Sequence, residues 1–110
     1  MIQRERLAND FEAMSHFTAP GEGINRLAFT DADWAGRQYI IDRMIDAGLT
    51  VETDGFGNVV GYKIGKKPEL PVVMVGSHTD SVPNGGNYDG VVGVLSAIEA
   101  VRSMNDDGFD

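Results

Sequence analysis

The sequence contains no cysteine. Neither a disulfide framework nor a thiolate metal site can form, so any bound metal must be held by His, Asp or Glu. Histidine is scarce as well, with only His16 and His78 present. Basic residues are in the minority, 9 Lys and Arg against 17 Asp and Glu, for a net charge of −8. A phosphate-binding surface needs the opposite balance, so a nucleic-acid partner is not expected. No apolar run approaches the length needed to cross a bilayer, and no membrane partner is expected. The opening Met1-Ile2-Gln3-Arg4-Glu5-Arg6 is charged and no apolar stretch follows it, unlike a secretory leader. A cytoplasmic protein is the expectation.

What is present is an ordinary globular balance of 42% hydrophobic and 24% charged residues. Over 110 residues this suffices for one domain with a real core. Leu7, Phe11, Met14 and Phe17 recur at the spacing of an amphipathic helix, which Pro20-Gly21 ends. Thr30-Asp31-Ala32-Asp33 has the form of a helix N-cap, with a carboxylate three residues after the Thr. Trp34, Ile41, Met44 and Ile45 then form the expected apolar stripe of a second helix, and Gly48 its C-terminal stop. Leu49 to Thr53 alternates as a half-buried strand does, Asp54-Gly55-Phe56-Gly57-Asn58 is turn chemistry, and Val59 to Ile64 reads as the return strand. Pro71-Val72-Val73-Met74-Val75-Gly76 is a continuous apolar run, expected to be a strand buried on both faces. After a polar, glycine-rich stretch, Val91, Val94, Leu95, Ile98 and Val101 form a helical stripe. The expected fold class is α/β, with helices packed on a mixed sheet. The polar loop would lie at the C-terminal end of the buried strand, where ligands of open α/β sheets bind.

That loop concentrates His78, Asp80 and Asp89. His and Asp are ligands for zinc and related divalent ions. His78 and Asp80, two apart, share a side in extended backbone. The Asp80 carboxylate could hold one imidazole nitrogen and leave the other for a metal. Asp89 directly precedes the last helix, whose positive end favours an ionised carboxylate. Gly85, Gly86 and Gly90 would let the loop fold back and bring Asp89 towards His78. The plainer reading stands beside this one: His-x-Asp triplets are common, Asp89 could be only an N-cap, and Asn84-Gly85-Gly86 only a turn.

Other residues carry less. Ser77, His78, Asp80 and Ser81 are too close along one extended segment to form a serine-hydrolase triad. Gly21-Glu22-Gly23 has no preceding strand and is no dinucleotide fingerprint. His16 reads as an exposed helical residue. Trp34 and Tyr39 read as packing residues, and Lys63, Lys66 and Lys67 as a solvated hairpin tip.

The ordered run from Gly76 to Gly90, Gly-Ser-His-Thr-Asp-Ser-Val-Pro-Asn-Gly-Gly-Asn-Tyr-Asp-Gly, resembles a signature of the amidase/hydantoinase/carbamoylase group. That group contains N-carbamoyl-L-amino-acid hydrolases and allantoate amidohydrolases, within the dinuclear-metal aminoacylase and peptidase superfamily. Gly23 to Thr30, Ala47-Gly48-Leu49 and Asp54 to Asn58 resemble the same group, so the likeness spans nearly the whole chain.

The resemblance implies residues 1–110 as the N-terminal part of a zinc-peptidase-like α/β/α catalytic domain, without the rest of that domain or the dimerisation domain. It implies a small-molecule substrate with a carbamoyl or ureido C–N bond, and two divalent ions, zinc or manganese, cobalt or nickel. It implies His78 as ligand of one ion, Asp89 as the bridge between both, and Asp80 as the catalytic-site residue that orients His78. An adjacent Glu-Glu pair, one member the general base, is also implied, and no such pair occurs in these 110 residues. The chain alone is therefore expected to bind metal weakly and to turn over nothing, while the whole protein is a homodimer. A related metallopeptidase or aminoacylase, and a non-catalytic self-associating module, are the alternatives.

Overall fold

The computed structural model describes residues 1–109. Helix α1 spans Arg4–Ser15 and buries Met14, with Leu7, Phe11 and Phe17 packed at the edge of the core. Helix α2 spans Asp31–Asp46. Its N-cap is Thr30, whose hydroxyl accepts from Asp33 N at 3.4 Å, while Asp33 Oδ2 accepts from Phe29 N at 2.8 Å. Two N–H groups at the helix entrance are thus satisfied reciprocally, an arrangement worth roughly 1 kcal/mol per cap. At the other end Gly48 takes φ 83° and donates to Ile45 O at 2.9 Å, the left-handed stop expected there.

The buried face of α2 matches the expected stripe only in part, at Met44, which packs against the core. Asp33, Gly36 and Ile40 are buried, whereas Trp34 and Ile45 are 49% and 56% exposed. The helix is turned so that Gly36 faces Arg26; a Cβ there would lie 3.0 Å from Arg26 Cδ. A small residue permits that approach, and neither Gly36 nor Asp33 carries an apolar signal. Trp34 packs instead under the Arg37 guanidinium, 4.8 Å from its ring centroid. Tyr39 is half-buried against Phe17.

Strands β1 (Thr50–Thr53) and β2 (Val59–Tyr62) pair antiparallel, with Thr50 opposite Tyr62 and Thr53 opposite Val59. The turn between them is organised by Asp54, whose Oδ1 accepts from the N–H groups of Phe56, Gly57 and Asn58 at 2.9–3.0 Å. Helix α2 lies against this hairpin. Lys63, Lys66 and Lys67 are exposed, but they follow β2 and do not form the hairpin turn.

Helix α3 spans Val91–Asp106 and buries Val91, Leu95 and Ile98, which join Met14, Ile40 and Ala47 in one core. Each of these side chains except Ala47 contributes about 1.5–3 kcal/mol by leaving water. Polar ties reinforce the packing of α1 on α3. The buried Glu99 carboxylate accepts from Arg6 Nε at 2.8 Å, Arg6 Nη2 at 2.7 Å and Gln3 N at 3.0 Å. The Arg6 hydrogen bonds hold Glu99 down at about 2, against the opposing effect of burial. Asp10, also buried, accepts from Arg102 and from the Tyr39 hydroxyl, both at 2.6 Å.

The apolar run at 71–76 departs from expectation. It forms no strand, and Val72, Val73 and Val75 are 84%, 98% and 71% exposed. A strand buried on both faces needs a hydrogen-bonded neighbour and a layer over each face; among the described residues it has neither. The sheet is accordingly a two-stranded antiparallel one and not a mixed one. Helices packed on a sheet remain the architecture.

Candidate metal centre

The segment from Gly76 to Gly90 reaches α3 along a path fixed by the stretch before α2. Ile24 and Gly85 exchange both backbone hydrogen bonds, at 2.9 and 2.8 Å, in an isolated antiparallel bridge. Ser81 N donates to Arg26 O at 2.8 Å, and Arg26 N donates to Ser81 Oγ at 2.9 Å. Further on, the Tyr88 ring meets Phe11 edge-on at 5.1 Å, which ties the loop to α1.

These anchors bring His78, Asp80 and Asp89 together. His78 Nδ1 lies 3.2 Å from Asp80 Oδ1 and 3.1 Å from the Asp80 carbonyl oxygen. On the other side of the ring, Nε2 lies 3.8 Å from Asp89 Oδ2. The imidazole therefore stands between two carboxylates, one per nitrogen. Asp89 is not the N-cap of α3. Gly90 holds that position, with φ 71°, and a Cβ on it would fall 2.4 Å from His78 Cε1. The ring lies directly over the glycine, at the start of the helix. All three polar side chains remain open to solvent, 52%, 41% and 77% exposed for His78, Asp80 and Asp89.

The separation between His78 Nε2 and Asp89 Oδ2 suits a shared ion. Ligand atoms about 2.1 Å from a tetrahedral metal are about 3.4 Å apart, so at 3.8 Å the two side chains need to draw together by a few tenths of an ångström to share an ion. Asp80 faces the opposite nitrogen, where it can fix the tautomer but cannot reach the same ion. Hence the three residues supply two donors, and among the described residues no group of three or more His, Asp or Glu could hold a metal ion. The residues present fit part of a metal site.

His16 is exposed beside Glu12, 3.2 Å away at the end of α1, and distant in role from the loop. Periodicity and spacing gave no reason to single out Arg26, which is 1% exposed. Its Nε donates to Thr79 O at 2.7 Å and its Nη1 to Met14 O and Phe17 O at 2.8 and 2.7 Å. Burial pulls its guanidinium below the ordinary value, against the charges of Asp33 and Asp80.

No family-wide sequence profile matches the chain. Individual relatives do. An N-carbamoyl-L-amino-acid amidohydrolase from Paenarthrobacter aurescens is 44% identical over 107 residues, 97% of this chain and 26% of that protein. A ureidoglycolate hydrolase from Arabidopsis thaliana is 45% identical over 104 residues, 94% of this chain and 22% of that protein. Among solved structures, AtUAH in complex with (S)-hydroxyglycine superposes with a TM-score of 0.94 at 42% identity, over 100% of this chain and 26% of that one. A hydantoinase/carbamoylase family amidase from Burkholderia ambifaria gives 0.91 at 40% identity, over 97% and 27%. The class defined by these matches is amidohydrolase. Within it, the chain corresponds to a segment of the hydantoinase/carbamoylase amidases and their ureidoglycolate- and allantoate-hydrolysing relatives. It spans about a quarter of the length of the relatives it matches.

Proposed function

We propose that this chain is the N-terminal part of the catalytic domain of a metal-dependent amidohydrolase that cleaves C–N bonds of N-carbamoyl amino acids or ureido acids. The observation that carries the reading is the placement of His78 between Asp80 and Asp89, in a chain whose relatives are amidohydrolases. His78 through Nε2 and Asp89 through its carboxylate would be this chain's ligands for the divalent ions, and Asp80 would hold Nδ1 so that the ring presents Nε2. The ion pair, when bound, lowers the pKa of water and polarises the substrate carbonyl. Asp89 supplies negative charge that offsets the two cations, and its exposure leaves it open towards a substrate. The general base is a glutamate outside these 110 residues, so the chain alone is inactive. The whole protein is a cytoplasmic homodimer acting on a small-molecule substrate.

Zinc titration by calorimetry tests the site. The chain binds zinc weakly, because two protein donors leave most positions to water, and His78→Ala abolishes the binding. Unchanged binding in that variant would place the metal elsewhere. A second reading is favoured by one observation, the exposed Val72 to Val75 run: a self-associating module, since uncovered apolar backbone of this kind invites pairing.

A further inference from the structure

We propose that Arg26 is a positioning residue for the His78–Asp89 pair, its guanidinium locking the segment that carries His78 and Asp80 onto the end of α1. The inference rests on the metal reading above and adds to it a residue that is not one of the proposed ligands.

Thr79 lies between His78 and Asp80, and its carbonyl is the acceptor of Arg26 Nε at 2.7 Å. The same guanidinium takes two carbonyls at the C-terminal end of α1, Met14 O and Phe17 O, through Nη1. A planar fork fixes direction as well as distance, so the plane of the Thr79 peptide is set relative to α1. That carbonyl belongs to the Thr79–Asp80 peptide, so its orientation sets how Asp80 projects, and Asp80 presents its Oδ1 and its carbonyl oxygen to His78 Nδ1 at 3.2 and 3.1 Å. Ser81 closes the other end: its Oγ accepts from Arg26 N and donates to Ile24 O at 3.0 Å. The middle and the C-terminal side of the His78–Asp80 segment are thereby tied to residues 24–26.

Arg26 is an unusual group to use as a simple strut. It is 1% exposed and no carboxylate lies within ion-pair distance among the described residues. A buried cation whose hydrogen bonds all go to carbonyls, with Asp33 and Asp80 acting only from a distance, is costly, and an apolar side chain would fill the same space at less cost. What an apolar side chain would not do is fix the Thr79 carbonyl. Gly36 leaves the room for this arrangement, since a Cβ there would come within 3.0 Å of Arg26 Cδ.

The test uses the full chain with Arg26→Lys, Arg26→Gln and, as reference, His78→Ala. Co(II) is titrated by visible absorption, and the His78 ring nitrogens are followed by NMR. Both Arg26 variants are expected to keep helical circular dichroism, to shift the His78 ring resonances, and to lose about 10–100-fold in Co(II) affinity. Arg26→Lys, with the charge but not the fork, restores only part. Folded variants with unmoved ring resonances and Co(II) affinity within twofold of the parent overturn the proposal. If the variants do not fold, the parent chain decides. An Arg26 Nε–H protected from exchange, with a nuclear Overhauser contact to Thr79, supports the lock. Exchange as fast as that of the exposed Arg4 overturns it. A parent chain that binds no Co(II) sinks the metal reading, and the ring resonances alone then judge Arg26: shifted supports, unshifted overturns.

Discussion

Replacing Gly90 by alanine should damage the candidate site through two separable effects. The first is backbone strain. Gly90 has φ 71° and ψ −47°, and Val91 N donates to Asp89 O across it at 2.8 Å; this tight γ-turn costs a residue with a Cβ on the order of 1–3 kcal/mol. In a domain of this size a change of about 1 kcal/mol moves the melting temperature by roughly 4–8 °C. The second effect is specific to the site. A Cβ at Gly90 would lie 2.4, 2.5 and 2.6 Å from His78 Cε1, Nδ1 and Nε2, where ordinary contacts begin at 3.4 Å. The ring must retreat by about 1 Å, because it faces the glycine with its whole edge and no single atom can give way. Displacement on that scale spoils a ligand geometry by about 10–100-fold in affinity. Gly48→Ala separates the two effects. Gly48 has φ 83° but nothing within 4 Å of its Cβ position, so its replacement should lower the melting temperature through backbone strain and leave metal binding alone. Co(II) titration with thermal unfolding of both variants is the assay. Equal Co(II) affinities in Gly90→Ala and Gly48→Ala would refute the contact between ring and glycine as the determinant of the site.

Acid should loosen the α1–α3 packing. Glu99 is held at about 2 against an ordinary 4.5, so its contribution is complete above pH 4.5 and is lost as pH falls through about 2. The shift corresponds to about 3 kcal/mol at most. Urea midpoints measured from pH 6 to pH 2 should fall, and in Glu99→Gln that fall should be visibly shallower; parallel curves would show that other carboxylates dominate. The exposed apolar run should drive association: light scattering is expected to give more than a monomer, and Val73→Lys, at a position 98% exposed, should shift the chain towards monomer. A clean monomer of the parent chain at high concentration would count against the self-association reading.

Elements whose signals are local were legible in the sequence. The apolar stripes of α1 and α3, the Thr30 cap, the Asp54 turn and the Gly48 stop all act within about five residues of themselves, and the structure contains each of them. Met44 of the expected stripe packs against the core, but most of the buried face of α2 was not legible. It is set by Gly36, which lets Arg26 approach, and by Asp33, which is buried to serve the Phe29 amide and Arg37. Hydrophobic periodicity is blind to both, so it selected Trp34 and Ile45, which face outward. The run at 71–76 failed for a different reason. Its composition describes the surroundings such a segment suits, and those surroundings are made by other strands and helices, which the described residues do not contain. The relatives are about four times longer, which is consistent with an apolar segment suited to more cover than it has here.

The site divides along the same line. His78 and Asp80 were legible as a pair because an i, i+2 relation is enough to put a carboxylate beside an imidazole. That Asp89 faces the opposite nitrogen depends on the path of the loop between them, and that path is written in residues more than fifty positions away: Ile24 bridging Gly85, and Arg26 holding Thr79 and Ser81. Gly90 was legible only as a place where the chain could bend; its closeness to the His78 ring is a property of the folded loop. The residues that carry chemical signals, His78, Asp80 and Asp89, are exposed and would be cheap to replace without harm to the fold. Those that hold them, Arg26 and Gly90, have no periodic signature and are constrained by contacts on several sides. Substituting the exposed residues therefore asks whether a metal binds, whereas substituting the constrained ones asks why the ligands stand where they do.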